Sequence, residues 1–128
     1  MILFILQNAY RSAKYQFRNE DEWHEDLFRS HTGRRLKEMV PDGVQFCVVN
    51  STDKIGDSAD SLYFADPFHI ECMLNGIKPD LVVACGKIAQ AGCRELGIDF
   101  ISAPHPAWRA LSKKDTERIR NEIKMSCM

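Results

Sequence analysis

The chain has 128 residues, of which 45% are hydrophobic and 27% charged, and its formal net charge is −1. This length supports one domain around a single core, and the composition excludes a disordered or collagen-like chain. The charge excludes a uniformly basic nucleic-acid binder, so any basic surface is local. Cys47, Cys72, Cys85, Cys93 and Cys127 contain no CxxC pair, which weakens zinc-ribbon and iron–sulfur readings. The odd cysteine count and the lack of a signal peptide imply free thiols in a reducing cytoplasm.

Met1 to Leu6 is apolar but stops at Gln7. It is too short to span a membrane and reads as a strand buried on both faces. Gln7 to Ser12 is a polar loop. Asn19-Glu20-Asp21-Glu22 opens a helix with a cap and acids in its first turn, and Trp23, Leu27 and Phe28 form its apolar stripe. Ser30 or Thr32 caps a second helix that ends near Met39, with Leu36, Met39 and Val40 inward. Pro41-Asp42-Gly43 is a turn.

Val44 to Val49 is the second strand, and Asn50 to Ser61 a loop. Asp66-Pro67 starts a helix by the cap-then-proline rule, running to about Gly76 with Ile70, Met73 and Leu74 inward. Leu81 to Ala84 is the third strand. Lys87 to Leu96 is a helix closed by Gly97. Ile98 to Ser102 is the fourth strand, and Ser112 caps a last helix from Lys113 to about Met125. The order βααβαβαβα predicts an α/β fold: a three-layer α/β/α sandwich on a four-stranded, mostly parallel sheet, in one domain over residues 1–128.

In a parallel sheet the loops after all four strands emerge at one edge, where ligands bind. Those loops carry Gln7-Asn8-Ala9-Tyr10, Asn50, Gly86-Lys87 and Pro104-His105-Pro106. Carboxamides offer a donor and an acceptor each, which suits a nucleobase edge. The competing structural readings are ordinary ones. Asn8 and Asn50 could end strands or form Asx turns, and Tyr10 could simply pack. Asp53 and Asp57 read as a solvated loop, with a smaller prospect of acid–base work. His24 and His31 lack a carboxylate at ligand spacing, so no metal is expected. His69 reads as a helix-surface residue. Arg34-Arg35 and Lys113-Lys114 read as solvated helix faces, with phosphate contact the sharper alternative.

These segments resemble the uracil-DNA glycosylase superfamily. Its first motif, GQDPYH or GxNPG, is similar to Leu6-Gln7-Asn8-Ala9-Tyr10-Arg11, and its last, HPSPLS, to the stretch from His105 to Ser112. Val48-Val49-Asn50 resembles the strand ending in the base-reading Asn. Thr32-Gly33-Arg34-Arg35-Leu36 resembles a helix-opening pattern of several branches, and Leu81 to Gln90 the strand and helix before the last motif.

The resemblance implies a DNA glycosylase that flips uracil or another modified pyrimidine out of DNA and hydrolyses its N-glycosidic bond, without a cofactor or metal, in base-excision repair. It implies that Asn8 positions water and His105 stabilises the leaving base. Asn50 would read the base edge, with Gln7 and Gly86 at the base and Tyr10 walling the pocket. Trp108, Arg109 or Leu111 would fill the gap in the duplex, and Arg11, Lys87 and Ser112 would hold phosphates. Asn8 stands where the fastest branch has Asp, and an amide takes no proton. The rival expectations are a non-enzymatic nucleobase or nucleotide binder on the same fold, and a hydrolase of free nucleosides or nucleotides.

Overall fold

A computed structural model describes residues 1–10, 20–56, 63–107 and 111–126. The element order is β1 (Ile2–Leu6), β2 (Ala9–Tyr10), α1 (Glu20–Arg29), α2 (His31–Met39), β3 (Phe46–Asn50), β4 (Ile55–Gly56), α3 (Pro67–Ile77), β5 (Leu81–Cys85), α4 (Lys87–Leu96), β6 (Ile101–Ala103) and α5 (Lys113–Ser126). The main sheet has four strands in the order β3-β1-β5-β6, and each neighbouring pair is parallel.

β1 lies inside this sheet, and its five residues are all buried. Successive side chains of a strand point to opposite faces, so an unbroken apolar run needs cover on both. On one face Ile2, Phe4 and Leu6 join Trp23 and Leu27 of α1, Leu36 and Met39 of α2, and Ile119 and Ile123 of α5. On the other, Leu3 and Ile5 join Ile70 of α3 and Ala89 and Cys93 of α4. The three-layer α/β/α architecture follows directly from that alternation. Each fully buried Ile, Leu or Phe contributes about 1.5–3 kcal/mol, and β1 supplies five such residues or near equivalents.

The caps follow the sequence. Ser30 accepts from Gly33 N and starts α2; Asp66 accepts from Phe68 N and His69 N and starts α3, with Pro67 in its first turn. Gly97 closes α4 with φ of 69°. Strand boundaries shift from expectation: β3 starts at Phe46 rather than Val44, β5 reaches Cys85, and β6 reaches Ala103. β3 extends through Asn50, which pairs with Leu6. β6 begins only at Ile101, because Ile98 N donates to Cys93 O at the end of α4 and is taken from the ladder. The structure also adds β2 and β4, a short parallel pair inside two segments expected to be plain loops. It ties the chain after β1 to the chain after β3. Among the described residues no helix is long and apolar enough to cross a membrane. The cysteines described, Cys47, Cys72, Cys85 and Cys93, are unpaired thiols.

Two helical glycines separate packing from propensity. A Cβ on Gly33 would lie 2.1 Å from Leu27 O, so α2 crosses the end of α1 only because that atom is missing. A Cβ on Gly76 of α3 would meet nothing within 4 Å. Gly33→Ala is expected to destabilise by about 2–4 kcal/mol through overpacking against backbone. Gly76→Ala is expected to be neutral or to stabilise by up to about 1 kcal/mol. Urea unfolding of the two variants beside the wild type checks both signs.

Candidate functional site

The parallel register sets a row of residues across the C-terminal edge of the sheet. Leu6 is level with Asn50, Ile5 with Ala84, and Cys85 with Ala103. The row therefore runs Asn50, Leu6, Cys85, Ala103, and the chain beyond it carries Gln7-Asn8 over β1, Gly86 over β5 and His105 beyond β6. With strands about 4.8 Å apart, the outer ends of the row are roughly 14 Å apart. β1 and β5 are neighbours whose onward connections leave in opposite directions, which makes their loops the switch point of the sheet.

Asn50 is 7% exposed, and among the described residues its buried Oδ1 has no hydrogen-bond partner. A buried carbonyl oxygen left unpaired costs about 1–3 kcal/mol. Asn50 lines a cavity of about 80 Å³ with Ala9, Trp23, Thr52, Asp53, Lys54, Ile55 and His69. The loop beneath is stiff. Ser51 N donates to Leu6 O at 2.8 Å, Ser51 Oγ donates to Gln7 O at 2.6 Å, and Asp66 N donates to Ser51 O at 2.8 Å. His24 Nε2 lies 2.7 Å from Val48 O and covers the outer edge of β3. Outside the cavity, Phe64 is 92% exposed and lines a groove that shares Thr52 and Lys54 with it.

His105 is half-buried. A Cβ on Gly86 would come within 3.4 Å of His105 Cβ and 3.7 Å of Cδ2, so the imidazole lies over the glycine at the end of β5. Gly86 also has φ of 88°, which a side chain would strain. The two strand ends are tied together below the ring. Gly86 N donates to Ala103 O at 2.8 Å, and Gln90 Nε2 donates to Ala103 O at 3.0 Å and to Ala84 O at 3.3 Å. Ala107 N donates to His105 Nδ1 at 3.1 Å. An imidazole nitrogen that accepts carries no proton, so neutral His105 holds its proton on Nε2 and offers a donor there. Burial lowers the pKa of His105 below the ordinary histidine value. The ring is neutral near pH 7, and donation from a neutral imidazole is what a developing oxyanion needs.

Gln7 and Asn8 are joined to each other. Gln7 Nε2 donates to Asn8 Oδ1 at 3.1 Å, and Asn8 Nδ2 donates to Ala9 O at 3.0 Å. The structure thus brings Gln7, Asn8, Asn50, Gly86 and His105 to one edge. Lys87, the first residue of α4, is exposed beside them. The backbone of Tyr10 lies in β2. Arg11, Trp108, Arg109 and Asp57 lie outside the described residues.

Two expectations change. Leu111 is 7% exposed and belongs to the core with Ile119 and Ile123, so it is not a free wedge. Extracting it would forfeit about 1.5–3 kcal/mol of burial. Ser112 caps α5: its N and Oγ both donate to Asp115 Oδ2, at 2.8 and 3.0 Å. Those bonds hold the Asp115 carboxyl below its usual range, and they commit the Ser112 N–H and hydroxyl to a carboxylate. Asp53 is exposed as expected, yet lines the Asn50 cavity. Trp23 is a core residue and a cavity wall at once, and His69 is a wall rather than a bare surface residue. Their separation in sequence from Asn50 left no local signal of this; the one clue was that Asp66-Pro67 starts a helix just after the Asn50 loop. Among the described residues no group of His, Cys, Asp and Glu is placed to hold a metal ion.

Comparison with family models, with curated proteins and with solved structures finds no match.

A lowered histidine pKa links folding to pH. The unfolded chain binds a proton at His105 more readily than the folded one, so this contribution is complete above the unfolded value near 6.5 and is lost as pH falls below it. The loss amounts to about 1.4 kcal/mol for each unit of depression. Wild type is therefore expected to lose more stability between pH 7 and pH 5 than His105→Gln, as read by denaturant unfolding at both pH values.

Proposed function

We propose that the protein is a DNA glycosylase of the uracil-DNA glycosylase type, which removes uracil or another modified pyrimidine from DNA inside the cell. The observation that carries the reading is the Asn50 carboxamide: buried, with Oδ1 unpaired among the described residues, and lining a cavity at the same sheet edge as His105. A pyrimidine with an N–H on its Watson–Crick edge would satisfy that oxygen. The base is flipped from the stack to reach it.

His105 Nε2–H would donate to a carbonyl oxygen of the base as the glycosidic bond lengthens. The bond's electron pair leaves with the base, and the imidazole stabilises the resulting anion without giving up its proton. Water adds to the sugar carbon from the other side and loses a proton to solvent. Asn8 would orient that water but cannot deprotonate it. Lys87 would face the phosphates at the start of α4. Phe64 would offer an aromatic face to an unpaired base beside the cavity.

One observation favours a second reading, in which the pocket binds a nucleobase or nucleotide without cleaving it. The Asn8 amide is bonded at both ends, to Gln7 and to Ala9 O, which restrains it as a structural group.

Base release from single- and double-stranded oligonucleotides carrying a panel of modified pyrimidines decides between them. Release is expected, with His105→Ala slowing it by about 100- to 1,000-fold, as for loss of one oxyanion donor. Asn50→Ala is expected to cost about ten- to a hundredfold and to blur the choice of base. If no oligonucleotide loses its base while a nucleotide raises the Tm of wild type but not of Asn50→Ala, the binding reading replaces the enzymatic one. Release from free nucleosides alone would make the protein a nucleoside hydrolase.

A further inference from the structure

Arg35 lies in α2, distant in sequence from His105, within a stretch that reads as a solvated helix face. Its guanidinium instead reaches the chain between β6 and α5. Nη1 donates to Pro106 O at 2.7 Å, and Nη2 lies 3.5 Å from Leu111 O. The two carbonyls bracket the segment that follows His105. Pro106 itself is fully buried, so its neighbourhood is water-poor and its oxygen needs a protein donor.

The oxygen that Arg35 holds and the N–H that meets His105 belong to one peptide unit. Pro106 O and Ala107 N are joined through the same carbonyl carbon, and Ala107 N donates to His105 Nδ1 at 3.1 Å. A cation on the oxygen of a peptide draws electron density toward it and makes its N–H a stronger donor, because hydrogen bonds in series polarise one another. It also fixes the rotation of the peptide plane, and so the direction of the N–H. We propose that Arg35 is a positioning residue that works through the Pro106–Ala107 peptide to keep His105 in the Nε2–H tautomer with its ring held over Gly86.

The sequence Arg35 guanidinium, peptide, imidazole explains two features together. It accounts for an arginine of α2 whose guanidinium is spent on the Pro106 carbonyl. It also accounts for a histidine whose outward nitrogen is the protonated one. The importance of that tautomer for chemistry rests on the reading of His105 as donor to a leaving base.

Nitrogen-15 NMR of the His105 ring tests the proposal on the intact chain without any substrate. In wild type the ring is expected to show Nε2–H and a scalar coupling between Ala107 N and Nδ1 across the hydrogen bond. A proton on Nδ1, or no coupling, overturns the proposal before any variant is made. In Arg35→Gln the ratio of Nε2–H to Nδ1–H is expected to fall by about three- to tenfold, the range for weakening one neutral hydrogen bond. Arg35→Lys, which keeps a cationic donor for Pro106 O, should recover most of it. The rings of His24, His31 and His69 should not change. A folded Arg35→Gln with an unaltered His105 tautomer reduces Arg35 to a loop staple and overturns the proposal. Should wild type release no base from any oligonucleotide, the NMR result still decides the role of Arg35. Base release by a variant with an unaltered tautomer keeps the enzymatic reading and discards the relay.

Discussion

Everything at the candidate site depends on β1 being buried on both faces between two parallel neighbours. A strand apolar at every position, Ile2 through Leu6, can satisfy its backbone only inside a sheet and its side chains only under two layers of helices. Helical crossovers then return the chain so that each of the four strands ends at the same edge. Gln7-Asn8, Asn50, Gly86 and His105 meet there because they follow strands whose apolar cores put them there. The polar site is a by-product of hydrophobic geometry, and its precision comes from the register Leu6 with Asn50 and Cys85 with Ala103.

On that platform the two most informative side chains are opposites. Asn50 has an unmet demand: a buried oxygen without a donor among the described residues. His105 has its inner nitrogen satisfied by Ala107 and its proton displaced to the outer one. One is arranged to receive a hydrogen bond and the other to give one, with the switch-point loop of β1 between them. They stand over opposite ends of the four-stranded edge, Asn50 on β3 and His105 beyond β6. Leaving the Asn50 oxygen unmet costs stability.

Much of the scaffold was legible from the residues. Ser30, Asp66-Pro67 and Gly97 act as helix signals because their effects are local: a side-chain acceptor within three residues, a fixed φ, or a tolerated αL conformation. Asn50 and His105 were legible as strand-end residues by the same logic, with apolar runs before them. The failures were of another kind. Leu111 stands at the edge of a polar stretch that begins with Ser112, and nothing nearby in sequence shows that it packs on Ile119 and Ile123. Ile98 belongs to an apolar run, yet the closing turn of α4 claims its amide. β2 and β4 are too short to carry a period, and they pair only because β1 and β3 are already side by side.

The chain by itself determined the elements, their order, the parallel sheet and the short roster of polar groups at its edge, since these follow from local propensity and from alternation of apolar residues. Tertiary structure alone decided which of those groups act together. It placed Trp23 and His69 on the Asn50 cavity, withdrew Leu111 into the core, gave Ser112 to Asp115, and carried Arg35 to the peptide beside His105. Each of these is a contact between residues brought together only by the packing of helices on the sheet, and such contacts depend on crossing distances and side-chain reach that no sequence interval encodes.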